Sequence, residues 1–453
     1  MPSVPPVPRM RRRTLLAGLG AGLTTGLAGC FSDGESSTPG SPSDTPTTDD
    51  GTPTPTDGET PTDGGTPAGP VSWTASVDGA AGDPVHAGAT LRSVDGSGPA
   101  RDRWLFVPTE AGTLYALDPA TGDERWTAGL GKPVRDVVVA PDAGLVVAHA
   151  GKQTLGDDHL VRAFDAAGTE QWTFPGSADA SPWGPLELLG ADGERVFVAS
   201  RDDQPMSSGE TLWSLDAASG ASTWTSEVGD PHSAAVTDEA VFVASRRAVD
   251  AFARPDGDRL WRFSEEGVEY QFDTLRADGR TAFFATTTGT TAGRTRAIAP
   301  DGSHAWQRPR FTTSVTLADA LYLGGGPVTA VDPASGEDRW ETQGESFLAG
   351  GPVAAGVLYA GGDGFAAYDT ASGDELWTWT ADADIVTAQA ATEAAVYGAT
   401  GGGNDSPNVV YARSAADGSE RWTFEADGDL SDLVLGELVY AGSADGTVYG
   451  FDR

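Results

Sequence analysis

At 453 residues the chain has room for two or three ordinary domains, or for one large repeat domain. Its 66 acidic residues outnumber 29 basic ones, for a formal net charge of −37, and only Lys132 and Lys152 are lysines. A surface of that sign repels phosphate and excludes nucleic acid as a partner. It predicts instead a carboxylate-coated protein that stays hydrated in concentrated salt, and hence a halophilic, archaeal source.

The first segment ends at the single cysteine, Cys30, which rules out an intrachain disulfide and a cysteine-ligated metal cluster. In RRRTLLAGLGAGLTTGLAGC (11–30), Arg12 and Arg13 precede a weakly apolar Gly/Ala/Leu run. That run is about 15 residues, short of the ~20 that span a bilayer, and reads as a signal peptide. The arginine pair followed by Thr14-Leu15-Leu16 resembles a twin-arginine (Tat) export signal. Leu27-Ala28-Gly29-Cys30 resembles a lipobox, so residues 1–30 are expected to be a lipoprotein signal with Cys30 as the lipidated N-terminus. Residues 31–70 are Thr, Pro, Asp, Gly and Ser with almost nothing apolar, too little to offset the entropy of ordering. They are expected to form a disordered tether, with an end-to-end distance of roughly 35 Å.

From residue 71 to 453 one skeleton recurs. Eight Gly–Trp pairs share a single spacing: Gly122/Trp126, Gly168/Trp172, Gly220/Trp224, Gly257/Trp261, Gly302/Trp306, Gly336/Trp340, Gly373/Trp377 and Gly418/Trp422. Their period runs from 34 to 52 residues, and each unit reads as four short strands broken by turns. That pattern predicts an all-β chain, a β-propeller of four-stranded blades. Five units open the Gly turn with Asp118, Asp165, Asp216, Asp332 or Asp369. The other three have Ala253, Ala299 or Ser414 there, and place Asp256, Asp301 or Asp417 immediately before the Gly. One carboxylate per turn, at either of two places, serves a turn and not a reaction. The eight Trp residues, with Trp73, are expected to dock blade on blade, each burying on the order of 200 Å².

ALDPATGDERW (116–126), SLDAASGASTW (214–224), AVDPASGEDRW (330–340) and AYDTASGDELW (367–377) resemble the docking motif of the pyrroloquinoline-quinone (PQQ) dehydrogenase-like propeller repeat. Within that family the chain is similar to the propeller lipoprotein of the outer-membrane β-barrel assembly machinery. The resemblance implies a closed ring, usually of eight blades. Nine units can be counted, the ninth being LVYAGSADGTVYGFD (438–452) completed by VSWTASV (71–77). Eight blades are favoured, with the short unit 306–340 as the incomplete one. The resemblance also implies, for the family's enzymes, adjacent cysteines over PQQ, a Ca²⁺ held by Glu, Asn and Asp, and an Asp base. None of these carries over. The only asparagines, Asn404 and Asn408, share one Gly-rich stretch, Pro407 weakens the Asn404 sequon, and there is no C-x-x-C-H haem site. The five histidines (86, 149, 159, 232, 304) are dispersed, His149 and His159 reading as a surface pair flanking one loop, not a metal site. No G-x-S-x-G elbow is present. No catalytic residue, cofactor or metal is therefore expected.

The connections before the second strand of each unit and the Gly turns are short. Four connections between second and third strands are long, at 150–160, 201–212, 286–296 and 399–409, and up-and-down topology gathers them on the opposite face. That face is the expected recognition surface for a protein partner. The sequence thus predicts a non-catalytic, extracytoplasmic binding or assembly scaffold, lipid-anchored to the cell membrane. The alternative is a PQQ-dependent alcohol or sugar oxidoreductase. An archaeal source has no outer membrane, so the family's partner is not carried over.

Overall fold

The structure, a computed structural model, describes residues 70–82, 85–87, 104–151, 159–175, 186–200, 210–265, 269–270, 274–288, 292–310, 312–343, 351–381, 385–400 and 408–453. Arg12, Arg13, Cys30, Asn404 and the proposed signal and tether up to residue 69 lie outside these residues.

All regular structure among the described residues is β, arranged as nine separate sheets. Blades 1 to 8 span residues 85–129, 134–174, 186–228, 231–263, 269–308, 314–341, 353–380 and 386–426. Within each blade the strands pair antiparallel in chain order, except that in blade 5 two short strands, Glu269–Tyr270 and Arg276–Asp278, both pair with Thr281–Thr288, and the inner strands of successive blades neighbour one another around the axis. Blade 9 takes three strands from the end of the chain (Val434–Leu435, Val439–Gly442, Thr447–Phe451) and its fourth from the beginning (Val71–Ser76). The register runs from Val71 opposite Phe451 to Ser76 opposite Thr447, so the two ends of the repeat region close the ring.

Nine units therefore make nine blades, and the preference for eight is corrected. The unit suspected of being incomplete is whole: Ser314–Leu317, Leu321–Gly324, Thr329–Val331 and Asp338–Glu341 form one sheet. Its brevity comes from strands of 3 or 4 residues joined by short turns. Two further expectations need revision. Residues 286–296 are mostly strand, because Thr281–Thr288 and Ala292–Ile298 stay paired out to Thr288 opposite Ala292. A run of threonines suits an extended ladder better than a loop. At the other end of the blades, the first and second strands of blade 1 end at Ala87 and begin at Trp104, so that connection is not short.

Antiparallel pairing sends the chain up and down each blade. The Gly turns therefore share one end of the ring. The connections between second and third strands, and those between blades, share the other.

Candidate functional site

The repeated residues assemble at the seams between blades. Each of the eight glycines has a positive φ, between 69° and 83°, which a residue with a side chain adopts only at a cost. Each also lies against the Trp of the preceding blade. A Cβ on Gly122 would fall 2.4 Å from Trp73, on Gly168 2.7 Å from Trp126, and on Gly373 2.5 Å from Trp340. The same relation links Gly220 to Trp172, Gly257 to Trp224, Gly302 to Trp261, Gly336 to Trp306 and Gly418 to Trp377. The fixed spacing of Gly and Trp within a unit thus joins three blades in series, since each turn receives one ring and its own fourth strand delivers the next. The indole N–H completes the contact by donating to a turn carbonyl of the receiving blade. Trp126 reaches Ala166 at 3.0 Å, Trp172 reaches Ala217 at 2.8 Å, and Trp340 reaches Thr370 at 2.8 Å. Trp261 differs: its own Cβ is the atom nearest Gly302, and its N–H has no partner among the described residues. Trp422 faces no Gly turn, since the fourth strand of blade 9 is Val71–Ser76 and does not follow its third strand through a turn. It donates to the carbonyl of Asp452 at 3.2 Å and stacks on Phe451.

Sequence reasoning missed why the motif opens with a small residue. In register across each blade stand a second-strand side chain, a small third-strand residue and the Trp. Phe106–Ala116–Trp126 and Tyr359–Ala367–Trp377 are two such rows. The outer rings sit 5.8 and 6.0 Å apart, over an alanine that leaves them room to meet. Blade 2 alone has an aliphatic member, Val147, in that row. The signal in the sequence was the Phe or Tyr recurring in pieces such as VFVAS and LYAGG.

The turn carboxylates do as their spacing suggests. Asp332 Oδ1 accepts the N–H groups of Ala334 and Ser335, both at 3.0 Å, and Asp417 Oδ1 accepts that of Ser419 at 3.1 Å. The residue before each Trp is a β-bulge, which turns its side chain back toward the turn. Arg125 meets Asp118 at 2.6 Å, Gln171 meets Asp165 at 2.9 Å and Arg339 meets Asp332 at 3.1 Å. The N–H of Ser335, then the Arg339 guanidinium, hold Asp332 below the ordinary carboxylate range. The N–H and hydroxyl of Ser372 do the same for Asp369. At Asp118 partial burial pushes upward, but the Arg125 and Ala120 donors outweigh it and the net shift is down.

A second layer of seam contacts differs from blade to blade. Trp213 meets Phe174 edge-on at 5.5 Å, Arg296 lies 5.1 Å over Phe263, and Arg413 lies 3.8 Å over Trp379. Asp250, 1 % exposed, pairs with Arg259 at 3.1 Å and Arg262 at 3.7 Å. Its burial raises its pKa, against the pull of Arg262 and Arg259.

At the loop-bearing end the strand bounds leave connections of 151–159, 201–209 and 401–407 between second and third strands, against 246–248 in blade 4 and 362–363 in blade 7. Residues 152–158, 201–209 and 401–407 lie outside the described residues. His149 and His159 are not the surface pair expected: they are buried, and hydrogen-bonded to each other at 2.9 Å. Strand register, invisible in a ten-residue separation, brings them together. Among the described residues, no group of three or more His, Cys, Asp or Glu is placed to hold a metal ion.

Nine antiparallel sheets, eight of four strands and one of five, with eight of their nine seams sealed by a Trp on a Gly turn, define a β-propeller built from PQQ-like repeats. The family model described as outer membrane protein assembly factor BamB matches residues 65–182, 157–320 and 324–453, and the chain belongs to that family. Among solved structures, BamB from Moraxella catarrhalis is similar at 16% identity and a TM-score of 0.47, over 70% of this chain and 96% of that one. The computationally designed Ika8 protein is similar at 13% identity and a TM-score of 0.53, over 85% of this chain and all 100% of its own, a likeness of fold alone. No curated protein matches.

Proposed function

We propose that the chain is a lipid-anchored, extracytoplasmic scaffold that binds a protein partner through the loop-bearing end of the propeller. A BamB-like propeller fits a protein-binding scaffold role. The observation that carries the reading is that three long connections, 151–159, 201–209 and 401–407, gather at one end of the ring, while the opposite end holds the structural Gly turns and a single long connection, 88–103. Residues 1–30 direct export and leave Cys30 as the lipidated terminus, and residues 31–70 give the propeller reach from the membrane surface. The carboxylates identified at the turns are engaged in holding backbone, which supports a role without chemistry of its own.

The test is crosslinking in intact cells followed by recovery of the tagged full chain. A variant with 201–209 and 401–407 shortened to the length found in blade 4 is expected to fold and to lose the partner. Retention of the same partner by that variant would refute the reading. Cys30→Ser is expected to move the protein from the membrane fraction to the soluble one. If it stays with the membrane, the anchor assignment fails.

A further inference from the structure

The cations of the chain are unevenly shared among the blades. Blade 4 (231–263) carries five arginines and five carboxylates, and blade 5 (269–308) five arginines and four carboxylates. Each of the other seven blades has more carboxylates than cations, in a chain whose net charge is −37. Blades 4 and 5 are also polarised along their length. Asp238, Glu239, Asp256, Asp258, Asp278 and Asp301 lie toward the Gly-turn end, where Arg254 and Arg280 are taken up by Asp192 at 2.7 Å and Glu239 at 3.1 Å. Arg246, Arg247, Arg262, Arg294 and Arg310 stand toward the loop-bearing end.

The Arg246-Arg247 pair is rigidly presented. It forms the tip of the short connection 246–248 between the second and third strands of blade 4. Ser245 donates its N–H to the carbonyl of Ala248 at 2.8 Å, and its hydroxyl accepts the Ala248 N–H at 3.1 Å, which closes the turn beneath two exposed arginines. Arg247 has no carboxylate partner among the described residues. Arg294 is exposed and bonds the neutral Gln307 at 3.2 Å. Arg262, its side chain 43 % exposed, lies 3.7 Å from Asp250, which Arg259 meets more closely at 3.1 Å. The described carboxylates at this end are already engaged: Asp250 is buried, Glu265 meets Arg296 at 2.6 Å, and Asp230 meets His232 at 3.0 Å. Arg308 and Arg310 are held by Asp338 and Glu341 of blade 6, at 2.6 and 3.1 Å. Arg247, Arg262 and Arg294 are the cations left facing outward.

Building on the reading that a protein partner meets this end of the ring, we propose that blades 4 and 5 dock an acidic surface of that partner, whose carboxylates are received by Arg247, Arg262 and Arg294. The planar fork of a guanidinium pairs with a carboxylate through two parallel N–H bonds. Such pairs act at contact, so they persist in molar salt, which screens charges more than ~3 Å apart. Over the other seven blades an acidic partner would meet charge of its own sign. A protein has a footprint small enough to rest on two blades. A bilayer or a long nucleic acid is an extended polyanion, and would be brought against the acidic blades as well.

Fluorescence anisotropy with a labelled oligoglutamate peptide reads this surface, in the lowest salt at which circular dichroism shows the full chain folded. The wild-type chain is expected to bind the peptide at least tenfold more tightly than Arg247→Glu/Arg294→Glu. Lys132→Glu/Arg421→Glu, an equal change of charge elsewhere on the ring, is expected to bind like the wild type. No binding by the wild type, or an equal loss in both variants, overturns the proposal. Tighter binding of single-stranded DNA of the same charge, or of phosphatidylglycerol vesicles, also overturns it, by assigning the arginines to phosphate. Should the charge reversal prevent folding, Arg247→Gln/Arg294→Gln is expected to weaken binding at least threefold, and unchanged binding there sinks the proposal. The peptide involves no cellular partner, so the two readings fail separately. Failure of the peptide, with a loop-dependent partner still recovered from cells, removes this inference alone. A partner kept after loop shortening, with the peptide bound through the arginines, removes the loop reading alone.

Discussion

The indole of Trp340 lies on Gly373 of the following blade, where a Cβ would fall 2.5 Å from the ring, and its N–H donates to the carbonyl of Thr370 at 2.8 Å. Gly373 thus has two reasons to lack a side chain, its φ of 77° and the ring above it. Gly356 has only the first, with φ of 79° and nothing nearer to a Cβ than Thr370 Oγ1 at 3.9 Å. Gly356→Ala should cost about 1–2 kcal/mol for the left-handed backbone. Gly373→Ala should cost about 2–5 kcal/mol, because overpacking adds to the same backbone term. Denaturant midpoints at one fixed salt concentration compare the two. Equal losses would show that the ring yields freely and that the seam is not tightly packed.

Much of this arrangement was legible in the sequence, and the reason is that each motif residue answers to a local demand. Gly marks a left-handed turn, Asp caps its N–H groups, and the match between 438–452 and 71–77 predicted the closure at Val71 opposite Phe451. What could not be read were relations between units. That Gly373 receives Trp340 and not its own Trp377 depends on how blades stack. Blade number is of the same kind: eight of the nine seams place a Trp on a Gly turn, so no one unit marks how many blades the ring holds. The pair of Arg413 and Trp379 stands off the motif, and its members come from different blades. His149 and His159 were visible, but their burial is set by register and by the leucines and valines of the next blade.

The alanine between the rings makes a sharper test of the row. Ala367 is wholly buried, with Tyr359 and Trp377 6.0 Å apart across it. Ala367→Leu adds three carbons where the rings meet and is expected to destabilise by about 1–3 kcal/mol. Ala367→Gly should cost less, since blade 9 already carries Gly450 in that place, between Tyr440 and Trp73. Stability curves for the two variants check the order, and a leucine tolerated better than glycine would mean that the row is loosely filled.

Acid should weaken the turns in a defined sense. Asp332 and Asp369 are held below their ordinary value of 3.8, chiefly by the N–H groups of Ser335 and Ser372. A carboxyl depressed by folding contributes stability that is present above its unfolded pKa and lost as pH falls through the folded one. The turn contribution should therefore be level from pH 7 down to about 5 and decline below about pH 4. Asp332→Asn and Asp369→Asn should lower stability at pH 7 and reduce that acid decline. Asp250 works in the opposite direction, since burial raises it: stability is lost as pH rises through its folded pKa, so Asp250→Asn should reduce the loss on going from acid to neutral pH. Thermal midpoints between pH 3 and pH 8 at constant salt measure both trends, and slopes unchanged by these substitutions would remove the carboxylates from the account.

The closing strand concentrates more contacts than any single seam residue. Val71–Ser76 pairs along the third strand of blade 9, the carbonyl of Pro70 accepts the N–H of Asp452 at 2.7 Å, and Val77 donates to Gly446 at 2.8 Å. Trp73, 7 % exposed, lies on Gly122 and donates to the carbonyl of Pro119 at 3.1 Å, while Ser72 reaches the Asp452 carboxylate. Deleting 71–76 removes the seam between blades 9 and 1 and bares a strand edge at Thr447–Phe451, which another chain can pair with. The deletion is expected to abolish cooperative unfolding and to produce soluble oligomers, seen by light scattering. Supplying residues 70–78 as a separate peptide should restore the monomer in part, because the edge keeps its register. A deletion variant that stays monomeric and unfolds like the full chain would show that eight seams hold the ring without the ninth.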